Sequence, residues 1–252
     1  MKSENVKKGR KFIKICGTQV DMIQIPEVIK SIEEWIENRE VGNYIVVSNA
    51  NDIFLSIKNK DIQQAINNSS LSVPDGISLV WVGKFYGYSL KRRVYGPELM
   101  LKFMEIAEEK GYTNFFYGST PNTLELVYRN LKRMYPRLNI RGMYSPPFSP
   151  KMELDYKGIE IINRVSPDVL WVGLGCPKQQ LWMHKHKDRL KVPVMVGVGA
   201  AFDFLAGTKP QAPSWIGDYG FEWLFRLITE PKRLWRRYLA VSYTHLTLPT
   251  KA

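Results

Sequence analysis

Cysteine and histidine are scarce in this chain, and their scarcity closes several routes to function. Its 252 residues include two cysteines, Cys16 and Cys176, and three histidines. Two distant cysteines cannot staple a disulfide scaffold and lack the clustering of a thiolate metal site, so a reducing cytoplasm is the expected setting. His184 and His186 stand two apart in LWMHKHKD. On a helix that spacing points the rings away from each other, so no shared metal is expected from them. No window offers the ~20 consecutive apolar residues of a membrane-spanning helix. The basic opening MKSENVKKGRKFIKI lacks the apolar core of a secretory signal behind it. Neither the six-residue glycine fingerprint of dinucleotide binding nor a P-loop occurs, and no Asp-x-Asp pair follows a strand. Acid is in short supply as well: 24 Asp and Glu stand against 36 Lys and Arg, a formal charge of +12. Such a balance points to a polyanionic partner, whether nucleic acid, an anionic membrane face or phosphorylated substrates.

What is present is a regular alternation. YIVVSNA (44–50), LSV (71–73), NFFYGS (114–119), LNIRGMY (138–144), DVLWVGLG (168–175) and PVMVGVGA (193–200) read as strands. Most are continuously apolar, as strands covered on both faces should be. Between them run amphipathic stretches. PELMLKFMEIAEEKG carries Leu99, Met100, Phe103, Met104 and Ala107 on one face, with Gly111 where a helix would stop. PNTLELVYRNLKRMY opens at Pro121, just after Ser119 and Thr120, a cap region. This order predicts a Rossmann-like α/β fold, with a mainly parallel sheet flanked by helices and a C-terminal helical appendage. Residues 1–220 form the α/β domain in this reading, and 221–240 the appendage. The last stretch, VSYTHLTLPTKA (241–252, including His245), reads as translated sequencing adapter and is set aside from the fold.

In open parallel sheets ligands bind beyond the carboxyl ends of the strands. SVPDG puts Asp75 at such an end, either as a turn residue or as a group that does chemistry. FYGST and the glycines of GLG and GVGA follow other strands, where backbone can approach a nucleotide closely. The appendage, FEWLFRLITEPKRLWRRYL, interleaves Trp223 and Trp235 with Arg226, Arg233, Arg236 and Arg237. Indole rings with guanidinium groups suit a lipid headgroup boundary, although an ordinary helix packed on the core has the same pattern. No recognised nucleic-acid motif accompanies the charge, so nucleic acid is not expected as a partner.

Taken in order, SNAND, PDG, RRVYGPELM, GLGCPKQQLW, GVGAAFDFLAG and FEWLFRLITEPKRLWRRYL resemble the WecG/TagA/CpsF family, glycosyltransferase family 26, over about residues 12–240. The resemblance implies an inverting, metal-independent transferase that moves N-acetylmannosamine or a related hexose. The donor would be a UDP-sugar and the acceptor a polyprenyl-diphosphate-linked amino sugar, in cell-surface polysaccharide or teichoic acid synthesis. No cofactor or metal is expected. It further implies that Asp75 is the base, that Arg93 meets phosphate, that Asn49 hydrogen-bonds sugar hydroxyls or the acceptor, and that Gln179 is a site glutamine. Gly118, Ser119, Gly173, Gly175, Pro177, Lys178, Phe202 and Asp203 are expected around the donor, the last two being equally readable as packing and turn residues. The chain departs from the family at Val47, where threonine is common and where Ser48 or Asn51 could substitute, and at Gln180, where an acid is common. The appendage would attach the enzyme to the anionic inner face of the cell membrane or close its site. A module that only binds a UDP-sugar or anionic lipid is the alternative, and it would have no need of a base at Asp75.

Overall fold

A computed structural model describes residues 10–147, 155–212 and 222–229. Six parallel strands form one sheet in the order β4-β3-β8-β7-β5-β6: β3 (Asn43–Ser48), β4 (Leu71–Pro74), β5 (Thr113–Gly118), β6 (Asn139–Tyr144), β7 (Val169–Gly173) and β8 (Val194–Gly197). All six strands read from the sequence are present. A separate antiparallel hairpin, β1 (Phe12–Ile15) and β2 (Thr18–Asp21), precedes them. It turns at Cys16 and Gly17, both at positive φ (49° and 81°), the geometry of a tight two-residue turn. Its Asp21 binds the Arg10 side chain and accepts the Ser72 backbone N–H at 2.6 Å, tying the hairpin to edge strand β4.

The helices are α1 (Ile25–Glu37), α2 (Ala50–Lys58), α3 (Lys60–Asn67), α4 (Ile77–Phe85), α5 (Gly96–Lys110), α6 (Pro121–Met134), α7 (Tyr156–Val165), α8 (Lys178–His186), α9 (Ala201–Leu205) and α10 (Glu222–Thr229). Strand periodicity sorts the core into two layers. Ile45, Val47, Trp171, Val194 and Val196 face α1, α5, α6 and α9, whereas Tyr44, Val46, Leu170, Val172 and Met195 face α3, α7 and α8. Each buried apolar side chain contributes about 1.5–3 kcal/mol, so covering both faces is what makes continuously apolar strands stable. Helix ends follow their sequence signals. Thr120 accepts the Thr123 N–H at 3.2 Å to cap α6, and Gly111 ends α5 at φ 75°.

The sheet order decides where a crevice opens. The helix after β5 (α6) packs on one face, and the helix after β7 (α8) on the other. The same reversal occurs between β3, followed by α2 and α3, and β8, followed by α9. It occurs once more between β8 and β7, so loops part at three neighbouring places, and they are where the fold accepts ligands. Of the appendage, α10 carries the backbone of Trp223 and Arg226, whose side chains lie outside the description. Arg233, Trp235, Arg236 and Arg237, together with 241–252, lie outside the described residues.

Candidate active site at the carboxyl edge of the sheet

Asp75 leaves β4 at the sheet edge, its N–H bonded to the Ser48 carbonyl at 2.8 Å. One residue later Gly76 starts the approach to α4. A Cβ there would lie 3.7 Å from the Asn49 Cβ, so the loops after β3 and β4 run against each other. The returning chain is fixed by the Val94 N–H, which donates to the Pro74 carbonyl at 2.7 Å. That single backbone bond delivers Arg93 beside Asp75. Its Nη1 lies 3.7 Å from Asp75 Oδ1 and donates to the Asp75 carbonyl at 3.4 Å, while the guanidinium stacks 4.3 Å above the Tyr95 ring. Both side chains are largely sheltered, at 15% exposure for Arg93 and 20% for Asp75. At 3.7 Å the charges attract without a short hydrogen bond, a contact that an incoming anion could share. Arg92 turns the other way, to Glu98 at 3.5 Å on the surface. The geometry thus separates two adjacent arginines that the sequence alone leaves equivalent.

Asn49 is the N-cap of α2. Its Oδ1 accepts the Asn51 N–H at 3.0 Å, and its own N–H donates to Asp52 Oδ2 at 2.9 Å. The carboxamide oxygen is thereby committed to the helix, and the amide NH2 is the part left to meet a substrate. Asp52 itself is buried at 1% exposure. Its Oδ1 accepts from Gln180 Nε2 at 2.6 Å and from the Cys176 thiol at 2.7 Å, so it joins the β3 loop to the GLGCPKQQ loop. The sequence reading passed over Asp52, although it stands inside SNAND; its position three residues after an Asn cap was the available signal.

Gln179, in the first turn of α8, is buried against β8. A Cβ on Gly197 would lie 3.2 Å from its Nε2, and one on Gly199 3.6 Å from its Oε1. That Oε1 is buried with no hydrogen-bond partner, an acceptor waiting for a donor. Lys178 and Pro177 open the same helix, and Gly175 turns the loop at φ 76°. Gly118 and Gly173 meet across the β5–β7 crevice. A Cβ on Gly118 (φ 114°) would collide with the Gly173 carbonyl carbon at 2.7 Å, and the Ser119 N–H donates to the Gly173 carbonyl at 3.1 Å. Ser119 holds φ 57°, and its own carbonyl accepts from Ser145 Oγ at 2.7 Å.

Three residues whose roles the sequence leaves open take packing and turn positions. The Phe202 ring is 1% exposed and packs edge-on to Phe116, under Gly173, so it supports the glycine loop rather than facing a pocket. Asp203 binds the Lys209 ammonium at 2.5 Å and its carbonyl accepts the Thr208 N–H, which makes it a turn residue beneath the loop. Ser48 is fully buried with its hydroxyl 2.9 Å from Ser72, and therefore cannot replace a threonine at Val47, which is itself in the core. Asn51 reaches Cys176 Sγ at 3.6 Å. His184 Nδ1 lies 3.0 Å from the Tyr44 hydroxyl, and His186 is buried against Trp182; burial lowers both pKa values, that of His186 to about 4. Among the described residues no group of three or more His, Cys, Asp or Glu could hold a metal ion.

A family model described as the glycosyl transferase WecG/TagA/CpsF family matches residues 13–250. Among curated proteins, an N-acetylglucosaminyldiphosphoundecaprenol N-acetyl-beta-D-mannosaminyltransferase of Bacillus spizizenii is 29% identical over 225 residues, 88% of this chain and 86% of the relative. The protein of the same name from Bacillus subtilis is 29% identical over 220 residues, 87% of this chain and 84% of the relative. One from Staphylococcus aureus is 26% identical over 228 residues, 89% of this chain and 87% of the relative.

Proposed function

Since the chain belongs to the WecG/TagA/CpsF family of glycosyl transferases, we propose that it moves N-acetylmannosamine, with inversion, from a UDP donor to an N-acetylglucosaminyl diphosphate carried on a polyprenol. The observation that carries this reading is the placement of Asp75 with Arg93, a sheltered carboxylate and guanidinium 3.7 Å apart at the carboxyl end of a parallel strand.

In the step itself an acceptor hydroxyl attacks the anomeric carbon of the donor. The bond from that carbon to the UDP oxygen breaks, the proton passes to the Asp75 carboxylate, and the electron pair leaves on the diphosphate. One carboxylate is enough, because a nucleotide diphosphate departs without needing a proton. Arg93 offsets the growing phosphate charge through paired N–H donors, and Lys178 at the start of α8 adds a second positive charge near the loop. With cations supplied by side chains, the reaction proceeds without a metal ion. The amide NH2 of Asn49 and the buried Oε1 of Gln179 offer one donor and one acceptor to sugar hydroxyls. The close-packed Gly118 and Gly173 keep the β5–β7 crevice lined by backbone for the nucleotide.

The test is UDP release from UDP-N-acetylmannosamine with a synthetic lipid-diphosphate-N-acetylglucosamine acceptor and EDTA present, beside the Asp75→Asn variant. Acceptor-dependent release that collapses in the variant is the expected result. Equal release from both proteins would remove Asp75 as the base, and release that EDTA abolishes would overturn the metal-free mechanism.

A further inference from the structure

α4 grows directly out of the Asp75–Gly76 turn, yet most of its outer face covers nothing among the described residues. Its inner face is fixed. Leu79 and Val80 enter the core shared with the hairpin, and Gly83 fits so closely that an added Cβ would lie 2.6 Å from Met22 and 2.9 Å from Leu90. The helix cannot roll. Its opposite face therefore presents Trp81 and Phe85, one turn apart, followed by Tyr86, at 58%, 87% and 63% exposure. The Tyr88 hydroxyl donates to the Phe12 carbonyl at 3.5 Å, which sets β1, with exposed Phe12, beside this patch.

Single exposed apolar residues are ordinary on protein surfaces, but large aromatic side chains grouped on one short helix are not. The charge around them is one-sided. From Gly76 to Gly96 the sequence contains Lys84, Lys91, Arg92 and Arg93 and no acidic residue. Arg92 is paired with Glu98 and Arg93 with Asp75, while Lys84 and Lys91 are exposed, as are Lys11 and Lys14 next to Phe12.

We propose that the Trp81–Phe85–Tyr86 face of α4 docks on an anionic lipid bilayer, with the aromatic rings in the headgroup boundary and the flanking lysines on lipid phosphates. Aromatic rings prefer that depth and lysine ammonium groups reach phosphates from it. The charge selects this occupant over a second copy of the chain. A symmetric dimer across the face would set two copies of this basic segment together, with no acidic residue between Gly76 and Gly96 to offset Lys84 and Lys91. The placement has a consequence for the reaction, and here the inference rests on the proposed function. A bilayer against α4 holds a lipid-linked acceptor within one helix length of Asp75, so that only the sugar diphosphate has to leave the headgroup plane.

The experiment is co-sedimentation of the full chain with vesicles of phosphatidylcholine alone and of phosphatidylcholine with an equal part of phosphatidylglycerol. The variants are Trp81→Ser combined with Phe85→Ser, and separately Lys84→Glu combined with Lys91→Glu. Both pairs lie on the surface, so melting temperature should hold. The aromatic pair should lower partition to the anionic vesicles by about tenfold or more, and the lysine pair should lower it most at low salt. Unchanged partition by both would overturn the proposal and leave docking to residues 221–240. A wild type that ignores anionic vesicles, or that sediments as a dimer which the aromatic pair dissociates, would overturn it too. Vesicle binding requires no sugar transfer. If it holds while UDP release fails, the transferase reading alone is lost; if release holds while binding does not depend on α4, the docking surface alone is lost.

Discussion

Two aspartates stand at the ends of neighbouring strands, and they differ in nearly every physical respect. Asp52, in the first turn of α2, is 1% exposed and accepts hydrogen bonds from Asn49, Gln180 and Cys176. Asp75, beyond β4, keeps a fifth of its side chain exposed and faces a guanidinium at 3.7 Å. The first spends its lone pairs on joining two loops. The second is held at its backbone by Ser48 and stands beside a guanidinium at the crevice, where the proposed reaction needs a proton acceptor. A parallel sheet offers many carboxyl-end positions of this kind, and the difference lies in what each loop does with its oxygen atoms. Sequence alone presents both as an Asp near a strand end.

The sharpest way to break this contrast is Asp75→Asn. It keeps shape and removes the proton acceptor, so transfer should fall roughly 10²–10⁴-fold while the urea midpoint barely moves. A large fall in stability instead would make Asp75 a turn residue like Asp52. Arg93→Lys should come next, with a loss of the order of 10-fold to 100-fold, because an ammonium cannot reproduce the paired donors or the stacking on Tyr95. Its loss should appear in kcat more than in KM if the guanidinium meets charge that develops as UDP leaves.

Much of this arrangement was legible beforehand, for identifiable reasons. The six parallel strands stand out because burial on both faces forces continuous apolar runs, and α5 and α6 because their caps are explicit. The β1–β2 hairpin was missed although FIKI and TQVD flank a two-residue turn ending in Gly17. Its strands have four residues each, too short for alternation to stand out. In the site, Asp75 and Arg93 were legible as motif residues, but their direction depends on the Val94–Pro74 bond, which links positions 20 apart. Phe202 and Asp203 read equally as donor-site or as packing and turn residues, and the contact that favours packing, the Phe202 ring beneath Gly173, links positions 29 apart. Asp52 was invisible because its partners, Cys176 and Gln180, lie more than 120 positions away. No local pattern encodes such a contact.

Asp52→Asn tests the structural half of the comparison. An amide must set its NH2 against either the Gln180 NH2 or the Asn49 N–H, and the buried clash should cost roughly 1–3 kcal/mol in unfolding free energy. Gln180→Glu alone would face two carboxylates across 2.6 Å and should cost at least as much. Combining the two restores an amide-to-carboxylate bond with its direction reversed, so the double variant should recover part of the loss. Strict additivity would show that the pair does not interact. Activity should follow stability in all three proteins, unlike Asp75→Asn.

The smallest expected effect concerns pH and lies two turns further along α8. His186 is 1% exposed beside Trp182, and burial, helped by Lys185 and Arg189, lowers its pKa to about 4. An unfolded chain binds that proton near pH 6.5. The neutral ring's contribution is therefore whole above about pH 6.5, and it is lost as the pH falls towards the folded value, about 1 kcal/mol by about pH 5.8. Since its Nδ1 has no hydrogen-bond partner, His186→Leu gives up no bond at that atom and should flatten the profile between pH 6.5 and 5 in urea titrations. An unaltered slope would assign the acid sensitivity to groups other than His186.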